Sequence, residues 1–249
     1  MENNIIRPLF LIGENSDNGF IKKITDLGFD PIILPADTRL PTPTNSHADM
    51  LLFLIDKSVF CNKKYFHDNY SIFKKIEEYG YTVNPCEFEV KNAYPYDVSL
   101  NQANVGNFIF GNSKACAEEI LKYADNHSYS YISTKQGYAK CSTLVLNEKA
   151  IITADDSIRN IAKELEIDVL KITNGSNEIQ LDGYDYGFIG GASAVYNKTV
   201  FFFGNVSLHT NAKEIRAFCE NHGFSILSLS NSQLVDVGGA FILPCVKNR

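Results

Sequence analysis

Residues able to attack and hold a cationic carbon recur at related places in this sequence: the pair His47 and Asp49, the aspartates Asp97 and Asp236, and Cys141. A thiolate is a nucleophile, an imidazole moves protons near neutral pH, and carboxylates pair with planar cations such as guanidinium. Strand residues two apart point the same way, so His47 and Asp49 are expected to project together. Aligning the chain with itself puts Cys141 and Ser99 at the position of Asp49, and Asp97 and, at a looser match, Asp236 at that of His47. One channel is thus expected to gather His47, Asp49, Asp97, Cys141 and Asp236. Each has a plainer explanation as well, because buried polar groups bond one another and a small thiol packs well at a strand start. The pairs Gly190-Gly191 and Gly238-Gly239 occupy equivalent repeat positions, where a missing Cβ admits either a neighbouring strand or a ligand. Gly190 and Gly238 are therefore candidate ligand contacts.

Positioning such a set needs a repeated scaffold, and the chain reads as one. Helices are predicted over Asp17 to Leu27, Lys63 to Tyr79, Ser113 to Ala124, Asp156 to Leu165 and Asn211 to Asn221, mostly opened by a capping residue. Gly28, Gly80 and Gly223 end three of them. Each is followed by a short extended stretch: Asp30 to Leu34, Tyr81 to Val83, Tyr129 to Ser133, Asp168 to Ile172 and Ser225 to Leu229. Hairpin patterns precede the last four helices. Met50 to Phe60 superposes without gaps on Ser142 to Ile152, and Ser193 to Phe201 and Asn101 to Phe110 fit the same turn. The unit is strand, strand, helix, strand, of roughly 40 to 57 residues. Complete units start near Ala48, Val98, Lys140 and Ile189, while Val237 to Leu243 is a first strand without a partner. Pro8 to Ile12 is an orphan second strand, so pairing the two ends completes a fifth unit. The chain, 1–249, is read as one domain.

Composition narrows the function. The chain has 249 residues, is 45% hydrophobic and carries a formal charge of −6, which gives no footprint for nucleic acid or anionic lipid. Its longest apolar runs, such as Met50 to Ile55, are too short to span a bilayer, and the N-terminus lacks a secretory pattern. A cytoplasmic location and reduced thiols are expected. The six cysteines form no C-x-x-C pair, and no H-E-x-x-H, Walker A or G-x-G-x-x-G occurs. No metal and no cofactor are expected. Cys61, Cys86, Cys116 and Cys219 read as core, whereas Tyr94, Tyr96, Tyr184 and Tyr186 precede first strands and are candidates for a channel mouth.

A closed ring of five such units resembles the penton, or five-bladed α/β-propeller, of guanidino-group-modifying enzymes, an α/β fold. Two local features add to the resemblance: His47-Ala-Asp49-Met50 looks like the His-x-Asp strand of those enzymes, and Asp236-Val-Gly-Gly-Ala-Phe241 looks like their glycine-rich strand before the nucleophilic cysteine. On that resemblance the chain is placed in a bacterial branch of the superfamily, and Cys245 joins Cys141 as candidate nucleophile. The chain departs from the pattern in three ways. Leu243 and Pro244 stand where the family cysteine is expected, the His-x-Asp segment opens the first complete unit instead of a late one, and no Glu-Gly-Gly-Asp occurs. The resemblance implies cysteine-dependent hydrolysis or transfer on a guanidine- or amidine-like small molecule bound in the central channel. The alternative is a non-catalytic penton that binds a small ligand or a protein partner, as the ribosome anti-association factor of eukaryotes and archaea has a similar architecture. A thiol within reach of His47 favours the enzyme.

Overall fold

The structure is a computed structural model that describes residues 6–175 and 177–246. In chain order the elements are β1 (Leu9–Gly13), α1 (Asn18–Asp26), β2 (Asp30–Leu34), α2 (Ala48–Leu51), β3 (Leu52–Ile55), β4 (Ser58–Asn62), α3 (Lys63–Asp68), α4 (Tyr70–Glu78) and β5 (Thr82–Cys86). Then come β6 (Ala103–Val105), β7 (Phe108–Gly111), α5 (Glu118–Asn126), β8 (Ser130–Ser133), α6 (Ala139–Ser142), β9 (Thr143–Asn147), β10 (Ala150–Thr153), α7 (Asp156–Glu164) and β11 (Asp168–Lys171). The rest are β12 (Ile179–Gln180), β13 (Ser193–Tyr196), β14 (Thr199–Phe202), α8 (Ala212–Asn221), β15 (Ser225–Ser228), β16 (Leu234–Val235) and β17 (Phe241–Leu243). This is a mixed α/β fold of small sheets. Among the described residues no helix is long and apolar enough to cross a membrane.

Five three-stranded sheets share one plan, an antiparallel hairpin whose second strand pairs in parallel with the strand delivered by the following helix: β3-β4-β5, β6-β7-β8, β9-β10-β11, β13-β14-β15 and β17-β1-β2. The last takes its two outer members from opposite ends of the described chain. Leu9, Phe10 and Leu11 pair antiparallel with Leu243, Ile242 and Phe241. Hairpin turns follow from residues that tolerate a left-handed backbone, such as Asp56 (φ 51°) and Asn197 (φ 45°). Capping side chains start the helices as their types require: Asp17 accepts from Gly19 N, Asn62 from Lys64 N, and Asp155 from Ile158 N.

Each sheet buries apolar side chains against two others. Leu9 and Leu11 of β1 pack with Leu52 and Val59. Phe53 and Phe60 pack with Ile109 of β7, and Phe110 with Ile151 of β10. Ile152 joins Val200 and Phe202 of β14. Phe201 and Phe203 return to Phe10, at 6.2 and 6.5 Å between ring centroids and nearly perpendicular.

The elements depart from the sequence reading where the site lies. His47 and Asp49 are not on a strand: the run before Leu52 opens as a single helical turn, with His47 O accepting from Met50 N and Leu51 N. Cys141 sits in the matching turn, α6. Gly190 and Gly191 lie in a turn before β13, and Gly238 and Gly239 have left-handed backbones (φ 77° and 61°) ahead of a β17 shorter than expected. The helix expected from Lys63 to Tyr79 breaks at Asn69, and that expected from Ser113 starts at Glu118.

Candidate functional site

The turns that precede the first strands bring the candidate residues together. Asn101, fully buried, ties them: its Oδ1 accepts from Lys140 N at 2.9 Å and Cys141 N at 3.2 Å, and its Nδ2 donates to Asp49 O at 3.2 Å and Cys141 Sγ at 3.1 Å. Cys141 Sγ in turn donates to Asp49 Oδ2 at 2.9 Å. Asp49 Oδ1 is buried without a hydrogen-bond partner. Burial, then the charge of Asp236, pushes the Asp49 carboxyl up to about 7, with Lys140 and the Cys141 thiol opposing. The same burial, with Asp49 and Asp236 beside it, holds the Cys141 thiol well above its ordinary range. The sequence reading looks for a thiol within reach of His47; here the thiol's partner is the Asp49 carboxyl, and burial and charge favour its protonated form.

His47 and Asp236 form the second half of the site. A two-stranded parallel sheet, β12 with β16, delivers Asp236, whose N donates to Gln180 O at 2.8 Å. Its Oδ1 accepts from Gly238 N at 2.9 Å and its Oδ2 from Phe188 N at 2.8 Å. His47 Nδ1 lies 3.7 Å from Asp236 Oδ1. Burial pushes the imidazole down from its ordinary value and Asp236 opposes that, so His47 tends to the neutral form. Asp97 is anchored apart from this pair by Tyr138, whose hydroxyl donates to Oδ2 at 2.7 Å; Oδ1 of Asp97 is buried without a partner. Burial raises Asp97, and the Tyr138 bond opposes.

A cavity of about 250 Å³ opens between these groups, lined by His47, Met50, Tyr138, Cys141, Tyr184 and Asp236 among others. His47, Cys141 and Asp236 thus face one space, with Asp49 and Asp97 one bond behind it on Cys141 and Tyr138. Among the described residues no hydrogen bond joins His47 to Cys141. The two glycines serve close approach, Gly190 to backbone and Gly238 to the base of a side chain: a Cβ on Gly190 would stand 2.2 Å from Lys140 O, and one on Gly238 would stand 2.2 Å from His47 Cβ. They hold α6 and His47 in place and do not line the cavity. Cys245 is not brought to the site either; it lies past β17, on the side of Tyr79 and Tyr81. Tyr184 and Tyr186 line the cavity with both rings partly exposed, and Tyr94 packs on Tyr138 at 6.1 Å between centroids.

Sequence reasoning missed Asn101, Tyr138 and Lys140. Asn101 takes the repeat position of Leu51 and Thr143, and a carboxamide at a position that opens a buried first strand is the signal that marks it. Among the described residues no group of three His, Cys, Asp or Glu side chains is placed to hold a metal ion.

A model of a family of unknown function, DUF6873, matches residues 11–241. No curated protein matches the sequence. Solved structures are similar in fold. DDAH from Pseudomonas aeruginosa, in a cysteine-to-serine variant complexed with citrulline, aligns with a TM-score of 0.57 at 11% identity, over 95% of this chain and 97% of that one. An amidinotransferase of the saxitoxin biosynthetic pathway from Microseira wollei aligns with a TM-score of 0.57 at 10% identity, over 93% and 80%. The inosamine-phosphate amidinotransferase of Streptomyces griseus gives 0.55 at 12%, over 93% and 79%. The shared fold is that of enzymes that modify guanidino groups.

Proposed function

The chain belongs to DUF6873, and we propose that it is a cysteine-dependent hydrolase or transferase acting on a guanidine- or amidine-like small molecule held between His47, Cys141 and Asp236. The observation that carries this reading is the Cys141 thiol bonded to Asp49 at 2.9 Å, in a cavity that His47 and Asp236 also line. We also infer that the five sheets of one 1–249 domain stand as a five-bladed α/β-propeller around this channel, closed through β1 and β17. The five apolar clusters shared between sheets support that arrangement.

A bound guanidinium supplies the positive charge that the site lacks and draws Cys141 toward the thiolate. Its proton passes to Asp49 Oδ2 as sulfur bonds to the central carbon, and an Asp49 that ionises near 7 can both take that proton and return it. The returned proton goes to the departing amine, whose C–N bond breaks, leaving a thiouronium on Cys141. In hydrolysis neutral His47 takes a proton from water as the oxygen bonds to carbon. The C–S bond then breaks and a urea-type product leaves, with the two water protons ending on sulfur and on the released amine. In transfer an amine replaces the water.

The non-catalytic reading draws on two observations: among the described residues no hydrogen bond joins His47 to Cys141, and burial holds the thiol well above its ordinary range. Labelling decides between them. Chloroacetamidine, a cationic alkylating agent, is expected to modify Cys141 ahead of the other five cysteines and faster than neutral iodoacetamide, and Cys141→Ala is expected to abolish both this label and any turnover of guanidines. Equal, slow labelling of all cysteines by both reagents would overturn the enzyme reading.

A further inference from the structure

The walls of the cavity say what the far end of the bound molecule carries. Among the described residues that line it, the charged side chains are Asp185 and Asp236, and none is Lys or Arg. An adjoining cavity of about 380 Å³ shares His47, Leu181 and Asp236, adds Asp182, and again has no Lys or Arg among its described lining. Lysines and arginines outside the lining have partners of their own. Lys140 Nζ is 3.5 Å from Gly190 O and its charge offsets that of Asp49. Lys91 pairs with Glu89 at 2.7 Å and lies 4.2 Å over the ring of Tyr96, and Arg39 donates to Asp37 and Asn62.

We propose that the site selects guanidines or amidines whose tail carries no carboxylate, an alkyl or aminoalkyl chain in its place; this rests on the preceding reading that the cavity holds such a cation. A carboxylate on the tail of an amino acid needs an arginine, a lysine or a set of converging N–H donors to replace its water. Here it meets the field of Asp182, Asp185 and Asp236, which share its sign. An alkyl chain or an ammonium meets what the walls do supply. Tyr138, Tyr184, Tyr186 and Phe188 present rings to the cavity, and aromatic rings accept both apolar chains and cations. Asp185, flanked by the exposed Tyr184 and Tyr186, is the counter-charge for a terminal ammonium. Discrimination is thus built from repulsion of the acid as much as from attraction of the amine.

The test is protection of Cys141 from chloroacetamidine in the full chain, read by mass spectrometry, with butylguanidine, 4-guanidinobutylamine and arginine as competitors. The two carboxylate-free compounds are expected to protect at concentrations about tenfold or more below that of arginine. Asp185→Lys, at an exposed position, is expected to narrow that gap by favouring arginine. Arginine protecting as well as 4-guanidinobutylamine, while Cys141 is still labelled first, would overturn the tail preference and leave the cation site standing. Labelling that does not favour Cys141, or that no guanidine slows, would overturn both.

Discussion

Cys141 Sγ and Asp49 Oδ2, 92 positions apart in the chain, are held 2.9 Å apart by two equivalent helical turns. The thiol is the donor and the carboxylate the acceptor, so each group's ionisation is coupled to the other's, on top of the burial that raises both. The sequence directs attention to His47 as the neighbour of a reactive thiol, whereas the partner in the structure is an acid.

Asp49→Asn is expected to bring the thiol of Cys141 down, because a negative charge beside it is lost. The rate of alkylation by neutral iodoacetamide against pH should shift its inflection by roughly one pH unit or more to lower pH. An unmoved inflection would show that Asp49 does not govern the thiol.

The same substitution isolates a pH dependence of stability. Folding lifts the Asp49 carboxyl from 3.8 to about 7, so the native state holds its proton more tightly than the unfolded state does. That contribution is fully present below about pH 4, falls as pH rises, and is gone above about pH 7. Urea titrations are expected to show the native protein losing stability relative to Asp49→Asn across this window. A constant difference between the two would refute the assignment.

Gly238→Ala should cost roughly 2 to 4 kcal/mol, since the new methyl meets His47 Cβ at 2.2 Å and the backbone is left-handed. Gly28→Ala is the control. Its φ of 91° carries the same backbone penalty with nothing within 4 Å, so the excess at Gly238 measures the contact with His47. Equal losses for the two would remove that contact from the account.

Leu243→Ala tests the pairing of β17 with β1. Leu243 is fully buried, opposite Leu9, and its truncation is expected to cost roughly 2 to 5 kcal/mol in denaturant unfolding. Leu208→Ala, at a side chain 55% exposed, should stay within about 0.5 kcal/mol. Comparable small losses would mean that β17 is not integral to the sheet.

The hairpins and the strands after each helix are legible in the sequence because their turn residues and alternation are local properties. Asp56-Lys57 and Asn197-Lys198 mark turns whatever surrounds them, and the matching strand pairs form as expected. The turn at His47 to Leu51 is not legible: a short apolar run such as Met50 to Ile55 suits helix and strand equally, and periodicity cannot place the switch at Leu52. The break at Asn69 is hidden likewise, since Lys63 to Tyr79 has no proline or glycine to announce it. At the site, repeat alignment gathers His47, Asp49, Asp97, Cys141 and Asp236 in one channel, but it is blind to which side chain faces which: His47, Cys141 and Asp236 line the cavity, and Asp49 and Asp97 stand behind it. That Cys141 meets Asp49 and His47 meets Asp236 depends on Asn101 and on two close-packed glycine turns, contacts made across the fold.

The partnership of Leu9–Gly13 with Phe241–Leu243 has a consequence during synthesis. The ribosome releases β1 among the earliest described residues, and its parallel neighbour β2 soon after, but the strand that covers its other edge is among the last to emerge. Until β17 is made, that edge stays open along a strand whose five residues are all buried in the finished molecule. An open edge of that kind in the nascent chain is exposed to association with another copy, and the step that retires this hazard is the pairing of β17 with β1.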